Sequence, residues 1–94
     1  MRGPLGRLLI MELFSSVEIK IRIHNSQATP RILVLEPWAS EIELPAGETF
    51  ILVSEGDPAF PMEVEFLEDR VVIYAFDSAG ATISLYNQSG QKVF

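Results

Sequence analysis

The chain has 94 residues, a formal net charge of −6 and no cysteine. That length makes one domain with a thin core. The absent thiols exclude disulfides, thiolate catalysis, Cys-ligated zinc and iron–sulfur clusters, and the acidic balance argues against binding to phosphate backbones. Hydrophobic residues form 48% of the sequence, ample for a packed interior, yet no run approaches the roughly 20 apolar residues of a membrane span.

Residues 1–10 (MRGPLGRLLI) hold two arginines, Gly3, Pro4 and Gly6 before the apolar run Leu8-Leu9-Ile10-Met11. Glu12 stops that run too early for a signal peptide. We read 1–10 as an extension and Met11 as the start of a single domain, 11–94. The competing expectation is an N-terminal strand that covers a sheet edge.

Side chains then alternate with period two. Val17, Ile19, Ile21 and Ile23 point to one side, and Glu18, Lys20, Arg22 and His24 to the other, which predicts a strand with one face in the core. After the turn-rich stretch 25–30 comes RILVL (31–35), an apolar strand ended by Pro37. Ile42 and Leu44 alternate with Glu41 and Glu43. Pro45-Ala46-Gly47 fits a type I turn with Pro at its second position and Gly at its fourth, and FILV (50–53) follows as a buried strand. Ser54 to Pro58 reads as a loop. Met62, Val64 and Phe66 face inward and Glu63 and Glu65 outward. VVIYAF (71–76) is the most apolar strand. Asp77-Ser78-Ala79-Gly80 turns the chain into Thr82–Tyr86, and residues 91–94 can add a last short strand.

About seven or eight short strands at 8–12-residue spacing, with no helical period, predict an all-β fold. We expect a two-sheet antiparallel β-sandwich, Ig-like or cupredoxin-like, with a Greek key. Within residues 25–53, the Glu36-Pro37-Trp38 run and the Leu44-Pro45-Ala46-Gly47-Glu48 turn carry a resemblance. The turn resembles that of cupredoxin-like sandwiches, and the run is similar to that of small bacterial β-sandwich proteins. The resemblance implies architecture only. Copper sites of cupredoxins use two His, a Cys and usually a Met, whereas His24 is the sole histidine here and Met62 lacks partner ligands.

Chemistry-bearing groups are few. His24 falls on a polar strand face, so no His-based triad or zinc site is expected. Glu41 with Glu43, and Glu63 with Glu65, could act as acid/base pairs only in a cleft. Ser54-Glu55-Gly56-Asp57 lacks the ligand spacing of a calcium loop. No metal, cofactor or catalytic residue is therefore assigned. Trp38 is open to two readings, a plug at the end of the core or an exposed contact residue. The candidate binding residues are Trp38, Glu36, Tyr74 and Tyr86.

These features point to a non-enzymatic protein-interaction or accessory module in the cytoplasm. Its expected partner is another protein or a second copy in a homodimer, with no nucleic acid and no membrane span. A small-ligand or carbohydrate module using Trp38, Tyr74 and Tyr86 is the alternative, and a carboxylate-based hydrolase a further one.

Overall fold

A computed structural model describes residues 16–77 and 80–94. The expected extension 1–10, the start at Met11 and the edge-covering N-terminal strand lie outside the described residues, as do Ser78 and Ala79. The described chain is all-β. Its seven strands are β1 (Val17–His24), β2 (Arg31–Glu36), β3 (Ser40–Leu44), β4 (Thr49–Gly56), β5 (Glu63–Phe66), β6 (Arg70–Tyr74) and β7 (Thr82–Tyr86). They form a three-stranded sheet, β1-β4-β7, and a four-stranded sheet, β3-β2-β6-β5. The chain passes between sheets after β1, β3, β4 and β6. β2 and β6 run parallel, with Leu33 opposite Val71 and Glu36 opposite Tyr74, so the four-stranded sheet is mixed rather than antiparallel. The expected last strand reduces to one bridge, Tyr86 to Lys92, with Val93 N–H donating to Leu85 O at 2.8 Å.

Alternation along each strand sends one set of side chains into a core shared by both sheets. Leu33 and Leu35 of β2, Leu44 of β3, Leu52 of β4 and Leu85 of β7 are its fully covered members, joined by Phe50, Ile73, Ala75 and Ile83. Burying one such leucine contributes about 1.5–3 kcal/mol. Ser54 shares the inward side, where its hydroxyl donates to Thr82 O at 2.8 Å, so its burial leaves no unmet polar group. The core is lopsided. Trp38 and Phe94 meet at one margin, their rings 5.5 Å apart and tilted by 60°. At the β1 and β5 edges the inward sets remain partly bare. Ile21 and Ile23 are only half-buried, Val17 and Ile19 are exposed, and so are Val64 and Phe66. These residues thus face inward as expected but are not buried, because among the described residues each belongs to an edge strand with a neighbour on one side only.

Asn25 holds one end of the fold together. Its amide donates to Thr29 O at 2.9 Å and to Leu44 O at 3.1 Å, and its side-chain oxygen accepts from Gln27 N–H at 2.9 Å. Its backbone extends the β1–β4 ladder by bonding Glu48 O and Gly47 N–H. The adjacent turn is shifted one residue from expectation. Glu48 N–H bonds Pro45 O at 3.2 Å, which places Ala46 and Gly47 at its centre. Gly47 takes φ 77°, where any Cβ is strained, and this requirement sets the position of the turn.

Two stability outcomes follow from these contacts. Asn25→Ala strands two carbonyls and an N–H, and is expected to cost about 2–4 kcal/mol. The exposed neighbour Ser26→Ala should stay within about 0.5 kcal/mol, a contrast read from urea midpoints at unchanged m-value. Gly56 is buried against Phe76, and a methyl there would meet the Phe76 side chain, with Cγ only 2.6 Å away. Gly56→Ala is therefore expected to lower stability by about 1–3 kcal/mol, and a thermal midpoint equal to the parent's would contradict the packing.

Candidate functional site

The outward side chains of the four-stranded sheet are the complement of its core set. Ile32, Val34 and Glu36 of β2 point outward because Leu33 and Leu35 point in. On β6 the outward set is Arg70, Val72 and Tyr74. Register then builds cross-strand rows. Glu41, Val34, Val72 and Glu65 form one row, and Glu36, Tyr74 and Glu63 another. Glu43 lies opposite Ile32, whose other neighbour is Arg70. This face therefore carries Glu36, Glu41, Glu43, Glu63 and Glu65. Among the described residues, Arg70 is its one cation, and it is already engaged. Its guanidinium contacts Glu41 at 3.4 Å and Asp69 at 3.3 Å. The hydrogen bond between Arg70 and Asp69 raises the guanidinium pKa and holds the Asp69 carboxyl below its ordinary 3.8. Both groups stand in solvent, so the ion pairs add little stability.

At the β6 C-terminal end of this face lies a cleft of 780 Å³. Its walls include Glu36 and Pro37, the Phe60-Pro61 segment, Glu63, Tyr74 and Asp77. Backbone bonds fix these walls: Ala75 N–H to Glu36 O at 3.0 Å, and Asp77 N–H to Phe60 O at 3.1 Å. Asp57 organises the incoming loop, since its carboxylate accepts from Ala59 N–H at 2.9 Å. Tyr74 donates its phenol proton to Glu65 at 3.2 Å. That bond, partial desolvation and the charges of Glu65, Glu63 and Glu36 all favour the neutral phenol, so its pKa lies above the ordinary 10.0. Three acidic groups and the aromatic rings of Phe60, Tyr74 and Phe76 thus border one depression.

Of the residues singled out from sequence, Glu36 and Tyr74 come together as direct neighbours on β2 and β6. Trp38 stands just beyond Glu36 in the three-residue β2–β3 loop. It is 42% exposed and its ring meets that of Phe94, itself packed on the core, so it is a surface residue rather than a buried plug. Glu36 holds this loop by accepting from Ala39 N–H at 3.1 Å, and Ala39 adopts φ 57°. Tyr86 lies apart, on the three-stranded sheet opposite Ile51, so Trp38, Tyr74 and Tyr86 make no common stacking platform. The carboxylate pairs Glu41/Glu43 and Glu63/Glu65 sit on opposite edge strands, three strand spacings or roughly 14 Å apart. The stretch read as the loop Ser54 to Pro58 is strand as far as Gly56, with Glu55 pointing outward beside Thr82. His24 lies on β1 and contacts Thr49 Oγ1 at 2.7 Å. Among the described residues, no three His, Asp or Glu side chains gather as a metal-ligating group. Phe60 and Asp77 were missed because each reads as an ordinary loop residue. Only the fold of the 57–61 segment against the end of β6 brings them to the cleft.

Comparisons with protein-family models, curated proteins and solved structures find no match for this chain. The site is therefore read from its own geometry.

Tyr74 offers a direct check on the electrostatics. A phenolate absorbance titration of the folded chain should show Tyr74 ionising above pH 10, with its component assigned by loss in Tyr74→Phe. Glu65→Gln should lower that pKa. Because the pKa is raised on folding, the associated stabilisation is complete below the unfolded value and is lost as pH climbs through the folded one.

Proposed function

We propose that this chain is a non-enzymatic protein-interaction module that receives a basic segment of a partner protein. The observation that carries this reading is the cleft lined by Glu36, Glu63 and Asp77 together with Tyr74 and the half-exposed Phe60. Carboxylates paired with ring faces suit a lysine or arginine side chain, through charge-assisted hydrogen bonds and cation–π contact. The remaining glutamates of the same sheet face extend a negative field around the cleft, which raises encounter rates with a cationic partner. The exposed Trp38, one loop away, supplies an apolar anchor of the kind enriched at interface hot spots. In this reading the two sheets are the layers of a β-sandwich with Greek-key connections, Ig-like or cupredoxin-like. The loops at one end of it form the contact surface.

An arginine-rich peptide tests the proposal, with an equally long glutamate-rich peptide as control. Calorimetry at low salt should detect the first and not the second, with affinity falling as salt rises. The double variant Glu36→Gln/Glu63→Gln should weaken binding at least about tenfold, and Glu18→Gln on the other sheet should leave it unchanged. Equal affinity in the parent and the double variant would refute the assignment.

A further inference from the structure

A second cavity, of 570 Å³, opens between the β1 edge of one sheet and the β5 edge of the other. It lies where the core is incomplete. Ile21 and Ile23 form its β1 wall, Val64 and Phe66 its β5 wall, and Ile73 part of its floor. Its volume is within the range of about 300–1,000 Å³ typical of small-ligand sites. Phe66 is 78% exposed, so the β5 wall of this slot is largely uncovered.

The charges around it are anomalous for this chain. The protein carries 13 acidic residues against 7 basic ones, yet among the described residues none of the acidic ones lines the cavity. Arg31 lines it, and so do Arg22 and His24, whose side chains belong to the outward set of β1. Arg31 is the informative one. It shares the inward side of β2 with Leu33 and Leu35, a place where a charge is costly without a partner. Its Nη2 reaches Leu67 O at 3.3 Å, but its Nε is buried and makes no hydrogen bond among the described residues. An apolar slot thus ends at a guanidinium with donor capacity to spare.

We infer that this slot binds the monomeric form of a single-chain amphiphile with an anionic head, a medium-chain carboxylate. The alkyl chain lies against Ile21, Ile23, Val64 and Phe66, and the carboxylate accepts from Arg31, whose planar fork matches its geometry. Burial of the alkyl chain supplies the driving force, offset by the costs of binding. This site is separate from the acidic cleft and does not rest on that assignment.

Sodium dodecanoate, kept below its micelle concentration, is the probe, and dodecanol is the uncharged control. The full chain should bind dodecanoate at one site, with dodecanol at least about tenfold weaker. Arg31→Met keeps the apolar stem and should weaken dodecanoate binding about tenfold or more. On the parent chain, heteronuclear NMR should show shifts of the Ile21, Ile23 and Val64 methyl signals and of Arg31 Nε–H on addition of dodecanoate. That readout is independent of whether the variant folds. Failure to bind, equal affinity for dodecanol, or shifts confined to other residues would each overturn the inference. So would a slot already filled, either by contacts from Leu8, Leu9 and Ile10 or by a second copy in a dimer that dodecanoate does not disturb.

Discussion

The structure depends on one constraint: in each strand, successive side chains must go to opposite sides, and one side must be apolar. Leu33, Leu35, Leu44, Leu52 and Leu85 meet it completely, and they come from both sheets. In a chain this short the buried fraction of surface is small, so these few residues supply much of the hydrophobic free energy. The same alternation dictates where charge goes. On β1 the outward set is Glu18, Lys20, Arg22 and His24, whereas the four-stranded sheet sends out five glutamates and one arginine. The chain is therefore polarised across its layers, one outer face strongly acidic and the other mixed. That polarity is a consequence of the register, not of any cluster in the primary sequence.

Strand positions were legible because period two is a local property. The eight residues of β1 and the five of β7 were readable from alternation alone. Partners were not, because pairing is decided by contacts far apart in the chain. Nothing local to residues 31–36 or 70–74 announces that β2 and β6 lie side by side in parallel. Antiparallel order is the natural expectation for a sequence without helices, since a parallel pair needs a crossover. Here the crossover is made by strands: the chain leaves β2, builds β3, crosses to β4 and returns through β5 before β6 begins. The turn at Pro45 shows a finer limit. Proline suits one position and glycine another, and φ at Gly47 decided between two frames one residue apart.

The candidate cleft inherits that limit. Glu36 and Tyr74 were each noticed, one beside Trp38 and one inside an apolar strand, but their contact exists only because β2 and β6 pair. Tyr86 carried the same local signal as Tyr74, an aromatic alternating with core residues, yet it went to the other sheet. Asn25 is the opposite case. Its place at a strand end suggested an ordinary turn residue, whereas its amide satisfies carbonyls from two separate segments. A buried amide with each of its groups bonded locks loop positions, because any slip leaves a polar atom unpaired at low dielectric.

The two margins of the core show how the thin interior bears on recognition. At one margin, the Trp38–Phe94 ring contact joins the β2–β3 loop to the C-terminal residues, and Phe94 packs against the core. At the other, the β1 and β5 edges leave isoleucines half-bare. Edges of this kind invite pairing with another chain, and proteins commonly blunt them with charge and short length. β5 has four residues with Glu63 and Glu65 on its outer side, and β1 carries Lys20 and Arg22 on its own, so both edges are protected by means that leave the inner slot open. Closing the slot with larger side chains would have added core and removed the opening. An occupant that binds only the folded chain instead stabilises it by RT ln(1 + [L]/Kd). On the inference above, the opening left among the described residues would link stability to occupancy at the place where Arg31 presents its inward guanidinium.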